Sequence, residues 1–478
     1  MDKKSEEMRY RQRYSVLFSI MLGSIMGPID ASIVNVILPT ITQFFRVPIS
    51  TAQWVPMIYL LTISSLLLFY GRLGDIFGYR RVYLSGLAGF IITSGLCGLS
   101  PTIHWLILFR AIQGLAAGMI AAMPYAIITG SFPPEERGKA LGINAISVSA
   151  GLAIGPCLGG FVTSLSNWRF IFLINIPIGI AGWLWAHHII PELRGEPGKI
   201  DIGGALAAFV SLFAFLFFIN GLQRMGFNDA IAIVLSVAMI AGVIFLWVES
   251  RTAQPMVNLN LFSNLTFSFG NISALLNFMS QYVMVFLTPF YLQRVLHYTP
   301  KDLGLIMTSF PLAVMAVAPF SGSLSDRIGT TIPTCLGATV CALSLFLMSQ
   351  LPASATSSVV AWRLALFGLG TGIFQSPNNS AVMGSAPRPH LGTASGILAT
   401  VRSLGMVFGI ATGGAVLYAF APSSILQEAT LKASEATVFL SGLKYAYIVG
   451  GISTLMAAVT SLVRSKTAIT ERSEKVKG

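Results

Sequence analysis

The sequence predicts an all-α membrane protein of fourteen spans, two six-helix bundles with two additional transmembrane helices between them. Three observations predict it. Only 10% of side chains are charged and 54% are hydrophobic, against roughly a quarter charged in an ordinary soluble domain; with a mean hydropathy of +0.75, a polar surface cannot be assembled. Apolar runs of about twenty residues, the length that crosses a bilayer as a helix, recur along the whole chain. The last six runs also repeat the first six, a duplication expected of many transporters.

The first six runs lie near 15–37, 51–70, 82–99, 104–128, 141–163 and 169–188. Two more sit near 202–222 and 229–249, and the last six near 266–292, 304–323, 332–350, 362–383, 394–419 and 442–463. Polar, proline-bearing stretches, Pro191 to Lys199 and Arg251 to Asn260, flank the middle pair as boundaries should. They divide the chain into an N-terminal bundle (1–188), an insertion (189–254) and a C-terminal bundle (255–478). The repeat is legible in two places. Gly71, Asp75 and Gly78 recur as Gly322, Asp326 and Gly329, a shift of 251, and Gly142, Gly151, Gly155, Gly159 and Gly160 recur as Gly396, Gly405, Gly409, Gly413 and Gly414, a shift of 254.

An even number of spans places both termini on one side. With the termini inside, twenty of the 30 bases fall in cytoplasmic segments and seven, Arg294 among them, in outer loops, so the positive-inside rule predicts cytoplasmic termini. The net charge of +12 would suit a nucleic acid only if the bases clustered on one face; they lie at chain ends and in short gaps, and no nucleic-acid partner is expected. Cys97, Cys157, Cys335 and Cys341 form no CxxC pair and have no nearby His, so neither a disulfide framework nor a metal site is expected. No GxxxxGK[ST], HExxH or GxSxG string occurs, which argues against an enzyme or a nucleotide-driven pump.

Chemistry should reside in the ionisable groups that lipid makes costly, at least about 2.5–3.5 kcal/mol each near the bilayer centre. Of the 18 acids only Asp30 lies well inside a run. Helical rise puts it roughly 10 Å below the outer surface, and Arg110 in the fourth run roughly 9 Å below the same surface. Opposite charges at one depth in one bundle predict a pair. Protonating Asp30 would release Arg110 to other partners; a permanent structural ion pair is the alternative. Arg402 lies roughly 14 Å into the thirteenth run with no acid at matching depth in its half. Backbone carbonyls, the inner surface or an anionic substrate group could receive it.

Five strings carry a resemblance. They are Asp30-Ala-Ser-Ile-Val-Asn35-Val-Ile-Leu-Pro39, Gly71-Arg-Leu-Gly-Asp75-Ile-Phe-Gly78 followed by Arg80 and Arg81, Leu106-Ile-Leu-Phe-Arg110-Ala-Ile-Gln113-Gly114, Gly151-Leu-Ala-Ile-Gly155-Pro156-Cys-Leu-Gly159-Gly160, and Asn167-Trp-Arg-Phe-Ile-Phe-Leu-Ile-Asn175-Ile-Pro177. Together they resemble the major facilitator superfamily and, within it, the fourteen-helix drug:proton antiporter family. The resemblance implies the major facilitator fold and proton coupling through Asp30 and Arg110. It implies a cytoplasmic latch between the halves from Gly71, Asp75, Gly78, Arg80 and Arg81, with Ile76 standing where the family often has a base. It also implies conformational gating by Gly151, Gly155, Pro156, Gly159 and Gly160, whose four-residue spacing permits close helix approach and whose proline favours a kink. The last string has no explanation in the sequence itself.

A polyspecific pocket wants aromatic area and a few amides. On the helices that line the cavity in that family the candidates are Asn35, Trp54, Tyr59, Gln113, Tyr125, Asn144, Asn277, Gln281, Phe290, Gln375, Asn378 and Asn379, with Arg402 for an anionic group. The expectation is a proton-coupled secondary exporter, working by alternating access on hydrophobic or amphiphilic compounds, neutral or monocationic. It would need no cofactor, being driven by the proton gradient, and would work as a monomer among membrane lipids in a bacterial cytoplasmic membrane. The alternatives are a dedicated exporter of an endogenous metabolite and, from another class, a non-transporting receptor or scaffold.

Overall fold

The structure, a computed structural model, describes residues 3–165, 167–192, 202–225, 228–252, 259–387, 391–421 and 433–477, and these are helical with no strand among them. The N-terminal half comprises α1 (Lys3–Phe45), α2 (Ile49–Ala52), α3 (Trp54–Phe77), α4 (Tyr79–Gly98), α5 (Ile103–Ala122), α6 (Pro124–Ser131), α7 (Pro134–Leu165), α8 (Phe170–Leu173) and α9 (Asn175–Ile189). The inserted pair is α10 (Ile202–Met225) and α11 (Asp229–Arg251). The C-terminal half comprises α12 (Leu265–Phe290), α13 (Pro300–Ile328), α14 (Thr331–Met348), α15 (Ser357–Ser385), α16 (Leu391–Phe420) and α17 (Ala433–Lys477).

Among the described residues twelve helices are long and apolar enough to cross a membrane. α7 and α10 carry shorter apolar stretches, Ala150–Leu165 and Gly203–Phe215. The side chains of α11 explain why this is a membrane protein: Ile233, Val237, Ile240, Val243 and Ile244 are all exposed, an apolar face that only acyl chains can solvate.

Sequence punctuation sets the breaks. α3 and α4 meet at Gly78, whose φ of 98° excludes other residues without strain, and α13 and α14 meet at Gly329 with φ 84°. Arg46 and His297, which end α1 and the turn after α12, both have φ above 50°. Each pair is 251 residues apart, so the repeat seen in the sequence is also a repeat of backbone conformation.

Within the halves, α7 packs on α1 and α16 on α12. Between them, α7 meets α13 and α3 meets α16, with α10 lying against both α3 and α16. The halves are joined at the end where α1 finishes: the Ser50 N–H donates to the Tyr418 hydroxyl at 2.9 Å, and Arg294 Nη2 donates to Thr42 Oγ1 at 3.3 Å. Arg294, expected in an outer loop, is 1% exposed. The chain after Pro289 continues as a π turn over Tyr291–Val295, which sets the base over the Phe290 ring at 5.4 Å.

Candidate functional site

Five helices of the N-terminal half converge on Asp30. α1 brings the carboxylate, α5 brings Arg110 and Gln113, α3 brings Tyr59, α4 brings Ser94, and α9 begins with Asn175. Arg110 Nη1 donates to Asp30 Oδ2 and, at 2.7 Å, to Gln113 Oε1. Asn175 Nδ2 donates to Asp30 Oδ1 at 3.1 Å, and Gln113 Nε2 donates to Ser94 Oγ at 2.8 Å. Arg110 Nε donates to the Val55 carbonyl at 3.3 Å, and the guanidinium lies 3.9 Å from the Tyr59 ring centre, a cation over the negative face of a π system. The Asp30 and Arg110 side chains are 1% and 0% exposed. Both carboxylate oxygens have donors, whereas Arg110 Nη2 is buried without a hydrogen-bond partner.

A cavity, partly open to its surroundings, lies on the other side of α1, between the halves. Ser32, Asn35 and Val36 of α1 line it, with Leu152 and Pro156 of α7, Gln281, Tyr282 and Val285 of α12, and Met307, Phe310 and Pro311 of α13. Its lining is apolar apart from Ser32, Asn35, Gln281 and Tyr282 and holds no charged side chain. Asn35 Nδ2 donates to the Ala31 carbonyl at 2.8 Å, leaving Oδ1 buried without a partner; Gln281 Oε1 is in the same condition. α1 therefore presents the carboxylate on one face and the cavity wall on another.

The glycine string sets how closely α7 approaches. A Cβ at Gly151 would stand 2.8 Å from the Ile25 carbonyl oxygen, and one at Gly155 would overlap Ser32 Oγ. In the other half a Cβ at Gly405 would stand 2.6 Å from the Leu275 carbonyl oxygen, and one at Gly409 would overlap that of Met279. Gly159 lies along Ile33 in ordinary contact. The last glycine of each string faces across the molecule: Gly160 abuts Pro300 and Gly304, while Gly414 abuts Gln53. Pro156 lies inside α7 without ending it.

The loop at Gly71 to Arg81 makes contacts within its own half. The Tyr79 hydroxyl donates to Asp75 Oδ1 at 2.5 Å, Arg80 Nη2 donates to the His187 carbonyl, and Arg81 Nε donates to Glu192 Oε1 at 3.2 Å. Gly71 has open space where a Cβ would be. Asp75 thus accepts from a phenol one helical turn along the chain.

The expected substrate residues scatter. Asn35 and Gln281 line the cavity, and Tyr59 and Gln113 belong to the charge centre. Trp54 is corrected: its ring faces Phe213 and Phe217 of α10 at 6.2 and 6.0 Å, because the insertion offers aromatic surface on that side of α3. Tyr125 is 43% exposed, having followed the break at Pro124. Asn277 and Asn378 turn into their own half, toward Cys341 Sγ at 3.9 Å and the Gly270 carbonyl at 3.1 Å. Phe290 lies under Arg294 at the joined end. Asn144, Gln375 and Asn379 are half-buried outside the cavity lining. Arg402 stands 5.6 Å from the Phe278 ring, with its Nε buried and unbonded.

Sequence reasoning missed Asn175 and Ser94 as members of the charge centre. The string Asn167 to Pro177 was the available signal. Trp168 is buried against Phe44 and Phe45 at 5.5 Å each, Arg169 donates to the Ser100 carbonyl at 2.8 Å, and Phe172 lies 5.8 Å from the Arg110 guanidinium. These anchors fix α8 and aim the first residue of α9 at the carboxylate.

The family model of the Major Facilitator Superfamily matches residues 20–410 and again 271–477. The chain belongs to the major facilitator superfamily. It is 33% identical over 439 residues to the Escherichia coli (strain K12) protein named uncharacterized transporter YebQ, covering 91% of this chain and 96% of that one. It is 34% identical to the riboflavin transporter RibZ of Clostridioides difficile (strain 630), covering 84% and 87%, and 32% identical to the multidrug resistance protein Stp of Mycobacterium tuberculosis (strain CDC 1551 / Oshkosh), covering 87% and 78%. Among solved structures, a bacterial homolog of the human lysosomal transporter Spinster, inward-facing and unoccupied, matches with a TM-score of 0.68 at 17% identity, covering 96% of this chain and 98% of that one. The protein is thus a multi-pass membrane transporter of small molecules and not an enzyme.

Proposed function

We propose that this transporter is a proton-coupled exporter of hydrophobic or amphiphilic, neutral or monocationic compounds, working by alternating access. The observation that carries the reading is the enclosed Asp30–Arg110 pair on the face of α1 opposite the cavity wall. Protonating Asp30 removes the charge that holds Arg110 Nη1, leaving the guanidinium to Gln113, the Val55 carbonyl and the Tyr59 ring. Any resulting shift of α1 moves Ser32 and Asn35 in the cavity, so proton and substrate communicate through one helix without sharing a carboxylate. An uncharged lining with two free amide oxygens suits flat apolar compounds bearing a hydrogen-bond donor.

The same reading places α7 and α10 in the bilayer, giving fourteen spans in the manner of the fourteen-helix drug:proton antiporters, with bundles at 1–188 and 255–478 around the insertion 189–254. Both termini are cytoplasmic in a bacterial inner membrane, a monomer among lipids suffices, and no cofactor is required. The loop at Gly71 to Arg81 and the glycine string of α7 act in gating.

Reconstituted into liposomes, the protein should move amphiphilic dyes against their gradient when a pH gradient is imposed. Asp30→Asn should lose proton-driven flux while retaining substrate exchange. Coupled transport at the native rate in Asp30→Asn refutes the carrier carboxylate; no flux of any compound under any gradient favours a receptor. A dedicated metabolite exporter is the second reading, favoured by the likeness to a riboflavin transporter. Saturable flux of riboflavin alone, with no dye transported, would select it.

A further inference from the structure

We propose that Asn175 sets the proton affinity of Asp30, by donating to the carboxylate when it is charged and turning its amide to accept from the carboxyl group when it is neutral. The inference rests on the proton-coupling reading of Asp30 and goes beyond it to a residue outside the Asp30 and Arg110 strings.

Three observations converge. Asn175 Nδ2 donates to Asp30 Oδ1 at 3.1 Å, whereas Arg110 binds the other oxygen, Oδ2. Asn175 is 1% exposed, so its amide competes with no solvent and its hydrogen bond acts at full strength. Its own Oδ1 is buried and has no partner.

The last point separates Asn175 from the other amide at the carboxylate, Gln113, whose Nε2 donates to Asp30 Oδ1 at 3.5 Å but whose Oε1 already accepts from Arg110. A guanidinium only donates and cannot accept from a protonated Asp30. An amide carries donor and acceptor on opposite sides. When Asp30 gains a proton, half a turn of the Asn175 side chain offers Oδ1 to the new O–H, and the neutral carboxyl is not left unbonded in a dry site. Both protonation states then have a partner, which a residue that must cycle between them requires.

From the elements packed around Asp30, the titratable or charged groups facing it are Arg110 of α5, Tyr59 of α3 and Cys97 of α4, with Tyr282 of α12 beyond Tyr59. α9 contributes the amide. The string from Trp168 to Pro177 thereby acquires a purpose: the buried Trp168, the Arg169 bond to Ser100 and the break between α8 and α9 hold the first residue of α9 against the carboxylate.

The test uses the full-length protein in liposomes and reads the external pH at which proton-driven dye flux is half-maximal. Removing the amide takes a bond from each protonation state, and the one to the charged carboxylate is the stronger, so in Asn175→Leu the midpoint should move to higher pH by about one unit. Asn175→Ser, which keeps a donor and acceptor, should return toward the native value. A residue that merely packs would lower the rate at every pH and leave the midpoint in place. An unchanged midpoint in Asn175→Leu overturns the proposal, as does loss of folded protein in both variants, which would make the amide structural. If Asp30→Asn remains proton-coupled, the carrier assignment fails instead, and the two failures are told apart by that control.

Discussion

The two halves share a scaffold and differ in charge. The packing partners of the glycine strings place α12 at a shift of 250 from α1, and the Gly114 contact with Tyr59 and the Gly368 contact with Phe310 place α13 at 251 from α3. At those registers Asp30 corresponds to Ser280, Tyr59 to Phe310, and Arg110, at the 254 shift of Gly114 to Gly368, to Leu364. Ser280 Oγ donates to the Asn277 carbonyl one turn back and Leu364 is fully buried, so the C-terminal half fills the same volume without ions. Duplication preserved the backbone approach, which tolerates little change, while the interior polarity diverged. One half holds the ion pair; the other contributes cavity wall.

The largest effect should come from making the N-terminal half resemble its partner in one step only. Asp30→Ser or Arg110→Leu alone strands a buried charge and should cost about 3–5 kcal/mol, read as a fall in the thermal unfolding midpoint in detergent. The double variant Asp30→Ser/Arg110→Leu should recover most of that loss while proton-driven transport stays absent. Equal stability of the singles and the double would break the comparison.

The conserved scaffold can be tested at its glycines. Gly409→Ala drives a Cβ into a backbone carbonyl and should cost about 1–3 kcal/mol. Gly155→Ala overlaps the Ser32 side chain but stands 3.1 Å from its nearest backbone carbonyl, that of Ile29, whereas at Gly409 the Met279 carbonyl itself is overlapped, and should cost less in the same unfolding assay. A reversed order would show that the α1–α7 contact is the tighter of the two. The smallest effect is expected at Arg402. Arg402→Gln should leave the pH midpoint of transport where it is, because nothing titrates against it; a displaced midpoint would extend the proton machinery into the C-terminal half.

Much of this was readable beforehand for physical reasons. Lipid makes charge so costly that Asp30 and Arg110 stood out by rarity, and helical rise put them at one depth. Glycine spacing marked α7 and α16 as helices of close approach, because a missing Cβ is a direct statement about distance, while their partners α1 and α12 came from the structure. Direction was harder. Apolarity on all sides gives no period from which to read a helix face, so Trp54, Asn277 and Asn378 were assigned to a cavity that they do not line. The burial of Arg294 was not legible, because a base just past an apolar run reads as a loop residue, whereas the backbone continued through a π turn. Asn175 was hidden because an amide near a span end carries no cost signal until its neighbour is known.

The position of α10 has a mechanical consequence. It leans on α3 through Trp54, Phe213 and Phe217, and on α16 through Phe215 and Phe408, whose rings are 5.9 Å apart. Ring contacts have no fixed register to lose, since dispersion falls off gradually with displacement whereas a directional bond does not. Through these rings α10 touches both bundles, and a displacement between them would loosen its contacts by degrees rather than break them at once.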